Sequence, residues 1–186
     1  MTPDSAISRL GRVLLLLLRA DGRFRRMISG PLRETIAIRL WSLWKIPLLF
    51  FLRPSVIELT HDRAEVRIRL TRRSRNHLGS MYFGALCAGA DCAGGLIAMR
   101  AIEQSGGGVS LIFKDFSAEF LRRAEGDVHF ISEDGAAVRD LVRRAIDSGE
   151  REHLPVTVIA TVPEKSGAEP VAKFILTLSL KKKGER

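Results

Sequence analysis

The stretch from Asn76 to Leu96 reads NHLGSMYFGALCAGADCAGGL, and its character decides the fold. From Met81 to Met99 the chain is apolar on every helical face, interrupted once, by Asp91. A helix that is apolar all round is a buried helix. Gly84, Gly89, Gly94 and Gly95 nevertheless make it a poor helix in isolation, because each Gly costs ~1 kcal/mol relative to Ala. The segment is therefore expected to be helical only where packing forces it, with its small residues letting neighbours come close. Something has to wrap it.

The flanking sequence supplies the wrapping. Ala64, Val66, Ile68 and Leu70 alternate with Glu65, Arg67, Arg69 and Thr71, the period of a half-buried strand, and Val56–Thr60 gives a shorter one before it. Gly106-Gly107-Gly108 ends the helix. Val109–Arg123 is strand-like, but its apolar parity moves from Leu111 and Phe113 to Phe116, Ala118 and Phe120, which predicts a bulge near Lys114-Asp115. Strands are expected at Val128–Glu133, Leu154–Val162 and Pro170–Lys181. Between the first two, Asp134 is placed to cap a helix whose Val138, Leu141, Val142 and Ala145 share a face. Strands on either side of one long buried helix make an α+β protein, not the alternating β-α-β of a nucleotide-binding fold. The glycines near residue 106 do not sit where a phosphate-binding loop must.

Charge is unevenly spread. Of the net +9 carried by 186 residues, residues 1–53 hold +7, with ten basic side chains against Asp4, Asp21 and Glu34. The basic character belongs to an N-terminal arm, so the main domain is not read as a nucleic-acid binder. In the arm, Ile7, Leu10, Val13, Leu14 and Leu17 predict a helix over 5–19. A second starts near Arg33, with Ile36, Leu40, Leu43 and Trp44 on one stripe, and is disturbed at Pro47. Two readings stand for this arm: helices lying on an anionic membrane surface, or helices packed on their own domain or a partner subunit with arginines snorkelling. Val13–Leu18 is short for a signal-peptide core, and Arg39, Lys45 and Pro47 spoil Ile36–Leu52 as a membrane span. A cytoplasmic setting is expected, with peripheral contact at the inner membrane surface as the arm's alternative. Cys87 and Cys92 point in different directions on one helix and read as small hydrophobes rather than a disulfide.

Chemistry converges on the organising helix. A carboxylate in an apolar helix is paired, protonated or facing a cleft. Cys87, Ala88, Gly94 and Gly95 lie one turn from Asp91 on its face, and Gly84 two turns away, leaving room beside the carboxylate for a slender ligand. The helix start turns backbone N–H groups near Phe83–Ala85 outward, a place for an anion or a carbonyl oxygen. Asn76, upstream, both donates and accepts hydrogen bonds. These parts form an acyl-transfer kit. The structural alternative is that Asp91 only ties down a backbone group or an arginine. His61, His129 and His153 show no metal-ligand spacing, and no Gly-x-Ser-x-Gly elbow occurs.

The order of elements and the run NHLGSMYFGALCAGAD resemble the hotdog fold, more narrowly the PaaI-like, phenylacetate-degradation type of acyl-CoA thioesterase. Those proteins carry Asn-x-x-Gly-x-x-His-Gly-Gly and, further on, an Asp or Glu. Asn76, Gly79, Gly84 and Asp91 fall in register with that pattern. Two positions depart from it: Tyr82 replaces the His and Phe83 the first Gly of the pair. FKDFSAEFLRRAEGDV, from Phe113 to Val128, also resembles the strand-turn-strand after the hotdog helix, so the likeness covers roughly 54–181. With IPLLFFLRPSV upstream, it looks closest to a poorly characterised hotdog branch that keeps the core and not the His.

The resemblance implies an α+β hotdog domain over 54–186 behind a helical arm at 1–53. It implies a homodimer, with tetramers open, whose sites lie at the interface. Asp91 of one subunit is expected as general base or nucleophile, with Asn76 of the other orienting the water or the carboxylate. The N–H groups near Phe83-Gly84 would polarise the thioester carbonyl, and the Tyr82 hydroxyl can hydrogen-bond a carbonyl, though not as an imidazole does. Gly79, Cys87, Ala88 and Gly95 would line the substrate site, the acyl chain running between helix and sheet. Arg72, Arg73, Arg75, Arg122 and Arg123 are candidates for coenzyme A phosphates, guanidinium being a good phosphate binder. No metal and no cofactor are expected beyond the coenzyme A of an acyl-CoA (or acyl-carrier-protein) substrate. A non-catalytic hotdog that binds acyl chains or acyl-CoA is the alternative. A dehydratase ranks last, since no His sits in the helix.

Overall fold

The computed structural model describes residues 29–183. Their elements are α1 (Gly30–Lys45), α2 (Pro47–Leu52), β1 (Ser55–Leu59), β2 (Ala64–Ile68), α3 (Phe83–Gln104), β3 (Val109–Phe120), β4 (Val128–Ser132), α4 (Gly135–Ser148), β5 (Glu152–Thr161), α5 (Pro163–Ser166) and β6 (Pro170–Lys182). The helix expected over 5–19 lies outside the described residues.

The strands form one antiparallel sheet in the order β1-β2-β4-β5-β6-β3. Its concave face is built by the alternation visible in the sequence: Ala64, Val66 and Ile68 of β2, Val128 and Phe130 of β4, Val156 and Val158 of β5, and Phe174, Leu176 and Leu178 of β6 are all buried. They close on α3, most of which is buried, while α4 packs beside it on β5 and β6 through Val138, Leu141, Val142 and Ala145. This is the hotdog arrangement. By length and composition α3 would suit a membrane span, yet here it is the core helix of the domain. The β3–β6 register slips between Phe113 and Asp115, at the bulge the sequence predicts.

What the small residues of α3 admit is a side chain. A Cβ built on Gly89 would stand 2.3 Å from the Phe130 ring, so the ring lies against the bare helix backbone. At Gly94 the nearest sheet atoms, from Val156, Leu176 and Val158, are at ordinary contact distance. The helix–sheet layer is thus filled at these two glycines, so space between helix and sheet is left only elsewhere along α3.

Two local expectations are also corrected. The stripe Ile36, Leu40, Leu43 and Trp44 does not face the core. Thr35, Ile38 and Ser42 are buried instead, and Leu43 and Trp44 are exposed. The cause is a polar dock: Thr35 Oγ1 accepts from the Val56 N–H at 2.8 Å and donates to the Val56 carbonyl at 3.4 Å. That contact covers the free edge of β1, a site otherwise open to another strand. Arg39 adds to it, donating through Nε to the Pro54 carbonyl at 2.9 Å and through Nη2 to the Arg53 carbonyl at 3.1 Å and Ser55 Oγ at 2.9 Å. Asp134 stands at the N-cap of α4, but its carboxylate does not cap. Asp134 Oδ2 instead accepts from the Thr157 N–H on β5 at 2.6 Å.

Gly89→Ala tests the ring contact. Alanine gains ~1 kcal/mol of helix propensity, while displacing a packed ring costs ~1–3 kcal/mol. A net loss of stability is expected in chemical denaturation, partly recovered when Phe130→Leu is added. Wild-type stability in the single variant would show that the ring is not held.

Candidate active site

Beside the face that packs on the central strands, Gly84, Cys87, Asp91 and Gly95 of α3 form a half-buried stripe, with Ala88 buried beside it and Phe113 of the edge strand β3 the nearest group to Gly95. The stripe forms one wall of a cleft of about 340 Å³. Of α3, Gly84, Cys87, Ala88 and Asp91 face it. The other walls are Ile46, Leu48 and Leu49 from the start of α2, and Phe116 of β3. Sequence reasoning missed these four. The signal was present, since Ile46–Leu52 is an unbroken apolar run and Phe116 sits just past the bulge, but nothing local shows that both fold onto the stripe of Asp91.

Among the described residues no hydrogen bond or ion pair reaches the Asp91 carboxylate, so among these residues it ties down neither backbone nor arginine. Burial in the apolar cleft raises its pKa above the ordinary carboxylate range. Burial likewise raises the Cys87 thiol, while the fully buried Cys92, desolvated and close to Asp91, is pushed up to about 12. Both cysteines are free.

The helix start lies at the same end of the stripe. Tyr82 is the N-cap of α3 and makes no side-chain cap bond; its carbonyl takes the N–H groups of Ala85 (2.9 Å) and Leu86 (3.1 Å). The N–H groups of Phe83 and Gly84 have no partner among the described residues, so the outward donors narrow from Phe83–Ala85 to these two. Both aromatic side chains are exposed, with ring centroids 4.7 Å apart, and Phe83 meets Phe120 of β3 edge-on at 6.4 Å. A Cβ on Gly84 would fall 2.5 Å from Tyr82 Cε1, so the Tyr82 ring lies across the bare Gly84 backbone.

Asn76 and Gly79 stand apart from the cleft walls. Asn76 organises its own loop: Oδ1 accepts from the Leu78 N–H at 2.9 Å and Nδ2 donates to Ser80 Oγ at 3.1 Å. Gly79 supplies the positive φ (84°) that this turn requires. Arg72, Arg73, Arg75 and Arg123 are exposed, and the Arg73 guanidinium lies over the Phe51 ring at 5.6 Å. Arg122 is engaged by Glu169 in an ion pair, so this candidate's charge is already partly answered.

The raised Asp91 pKa has a thermodynamic consequence. The folded chain binds that proton more tightly than the unfolded chain, so the stability this group contributes is present below the ordinary aspartate range. It is lost as pH rises through the raised value. Asp91→Asn removes that slope. Thermal melts across pH are expected to show the variant more stable than wild type near about pH 7, the gap closing toward about pH 4, the ordinary aspartate value. A gap independent of pH would show that the carboxylate is not ionising against its surroundings.

No curated protein matches this chain. Among solved structures it is similar to a Pseudomonas aeruginosa protein described as a probable thioesterase, at 23% identity and TM-score 0.67 over 80% of this chain and 95% of that one. A Chlorobaculum tepidum protein of unknown function gives TM-score 0.71 at 11% identity, over 82% of this chain and 96% of that one. A Haemophilus influenzae thioesterase gives 0.57 at 17%, over 79% of this chain and 91% of that one. At these identities the likeness establishes the fold, an α+β hotdog. The family described as a domain of unknown function, DUF4442, matches residues 38–178, and the chain belongs to it.

Proposed function

We propose that the protein is a thioesterase-like hotdog hydrolase acting on acyl-CoA or acyl-carrier-protein thioesters, with Asp91 as its general base or nucleophile. The observation that carries this reading is a burial-raised carboxylate in an apolar cleft that also holds Gly84, at the helix start whose Phe83 and Gly84 N–H groups, like that carboxylate, have no partner among the described residues. In the base route, Asp91 takes a proton from water as its oxygen attacks the thioester carbonyl carbon. The oxyanion is held by the Phe83 and Gly84 N–H groups, and the C–S bond breaks to give the acid and the thiol. A carboxylate that must be ionised to act predicts a rate rising with pH through the raised Asp91 pKa.

The distance along α3 supports a shared site. Phe83 and Asp91 are eight residues apart, about 12 Å at 1.5 Å per residue, too far to serve one carbonyl. Two antiparallel α3 helices crossing near Cys87-Ala88 would bring Asp91 of one subunit to the Phe83-Gly84 end of the other, the small residues permitting the approach. The edge strand β3 favours the same homodimer: it is long, and exposes Ile112, Phe116 and Phe120, an edge that proteins do not leave open. Asn76 of the second subunit would orient the water, and such dimers could pair into tetramers. Arg72, Arg73, Arg75 and Arg123 are the candidates for the coenzyme A phosphates, and Gly79, Cys87, Ala88 and Gly95 for the acyl portion. The protein is placed in the cytoplasm, with the basic arm as the part that meets anionic membrane.

One observation favours a second reading, an acyl-CoA binder without turnover. Where the resemblance has an imidazole, the Tyr82 ring covers Gly84 and narrows the approach to the N–H pair.

Hydrolysis of a panel of short, long and aromatic acyl-CoAs by wild type and Asp91→Ala separates the two. Turnover that disappears in the variant while the dimer stays folded is expected; full activity in the variant would remove the mechanism. Binding without turnover is read from the melting temperature: acyl-CoA that raises it without being hydrolysed would favour the binder, and no rise with no turnover would remove both readings.

A further inference from the structure

The α1–α2 elbow is buried on one side and bare on the other. Ile38, Leu49 and Leu52 are in the core, whereas Trp44, Leu48, Phe51 and Leu43 are 61%, 59%, 51% and 41% exposed. Such a run of large exposed apolar side chains is uncommon on a water-facing helix pair and marks a contact surface. Its charge says what kind. Residues 35–57 and 66–83 together contain eight cations and no carboxylate. These are Arg39, Lys45, Arg53, Arg67, Arg69, Arg72, Arg73 and Arg75, and the fold brings Arg39, Arg53, Arg67 and Arg69 into one another's fields and Arg73 onto the exposed face. Arg73 lies over Phe51, and the Arg39 guanidinium, lowered first by its burial, is lowered further by the fields of Arg53, Arg69 and Arg67. Among the described residues, only Arg69 of the eight has a carboxylate within reach, Asp127 at 4.0 Å.

We propose that this face, with Trp44, Leu48 and Phe51 at its centre and Lys45, Arg53, Arg72 and Arg73 around them, docks on an anionic lipid bilayer. Apolar side chains enter the headgroup boundary while cations at their margin meet anionic headgroups, and tryptophan favours that boundary. The proposal rests on the peripheral placement of the arm given above and locates it on a particular surface. It also sets the cleft against the lipid, because Leu48 lines the Asp91 cleft and Ile46 and Leu49 stand beside it. An acyl chain leaving the bilayer would meet that cleft first. A protein partner is disfavoured because a patch of one sign with no hydrogen-bonding carboxylates specifies little beyond negative charge.

The chain has two tryptophans, and the second is Trp44, so Trp41→Phe leaves one reporter on the face. Full-length Trp41→Phe protein is mixed with phosphatidylglycerol–phosphatidylcholine vesicles and with pure phosphatidylcholine vesicles. Expected are a blue shift of Trp44 emission and quenching by brominated acyl chains on the anionic vesicles only, both reversed by high salt. Lys45→Ala should weaken the partitioning about fivefold, one cation's share at such a surface. If Trp41→Phe does not fold, the difference between wild type and Trp44→Phe gives the same reading. Pelleting with vesicles while Trp44 emission stays unchanged would overturn this face but leave the arm's peripheral role to residues 1–28. No pelleting would overturn both. A blue shift without lipid that grows with protein concentration would assign the face to a second copy and overturn the proposal. None of these readouts depends on turnover.

Discussion

The structure depends on one contact, the Phe130 ring laid on the backbone of α3 at Gly89. A helix this rich in glycine has little reason to form by itself, because helix stability in proteins comes mainly from packing rather than propensity. The sheet supplies that packing only if it comes close, and it comes close only where the helix has no side chain. The residues that weaken α3 as an isolated helix are therefore those that let it become the centre of a domain. Helix and sheet specify each other, which is the consistency across levels that a funnelled landscape requires.

The same packing sorts the faces of α3. Gly89 is closed by Phe130 and Gly94 by Val156 and Leu176, so a ligand has no room at those two glycines. The half-buried stripe carries the small residues that remain and the helix's only carboxylate before Arg100, with α2 and β3 standing over it. Chemistry is left to the stripe that the central strands do not fill. An aspartate on the sheet side would have been buried against Val and Leu with nothing to pair with. On the half-buried stripe it is desolvated enough to hold its proton tightly and still open to a substrate.

Much of this fold was legible in the sequence because it is written in short periods. The alternation in Ala64–Ile68, the Val138–Ala145 face and the parity change at Lys114 are local, and each fixes which side of an element is wet. What was not legible runs through polar side chains paired at long sequence separation. Thr35 bonds Val56, and Asp134 bonds the Thr157 backbone rather than the helix it precedes. A hydroxyl can satisfy both the N–H and the carbonyl of a strand edge and a leucine can satisfy neither, and α1 buries Thr35, Ile38 and Ser42 rather than the stripe that hydropathy favours. Within the site the same division holds. Asp91, Cys87 and Gly84 announce themselves by their place in an apolar run, but Ile46, Leu48, Leu49 and Phe116 are ordinary hydrophobes until the chain is folded.

Those hydrophobes bear on where the arm ends. Charge alone draws a line near residue 53, since the basic excess lies before it. Hydrogen bonds and packing do not respect that line. Thr35 and Arg39 hold α1 to Val56, Pro54 and Ser55, Arg100 of α3 lies 4.0 Å from Glu34, and the family match begins inside α1 at residue 38. Arg53, the residue at the line, takes a left-handed conformation (φ 54°) that a non-glycine residue keeps only when its surroundings hold it, and Arg39 grips its carbonyl. The stretch from Gly30 to Leu52 is therefore a wall of the cleft as well as a carrier of charge. Any change that moves this elbow, including its attachment to a surface, moves one side of the space in front of Asp91.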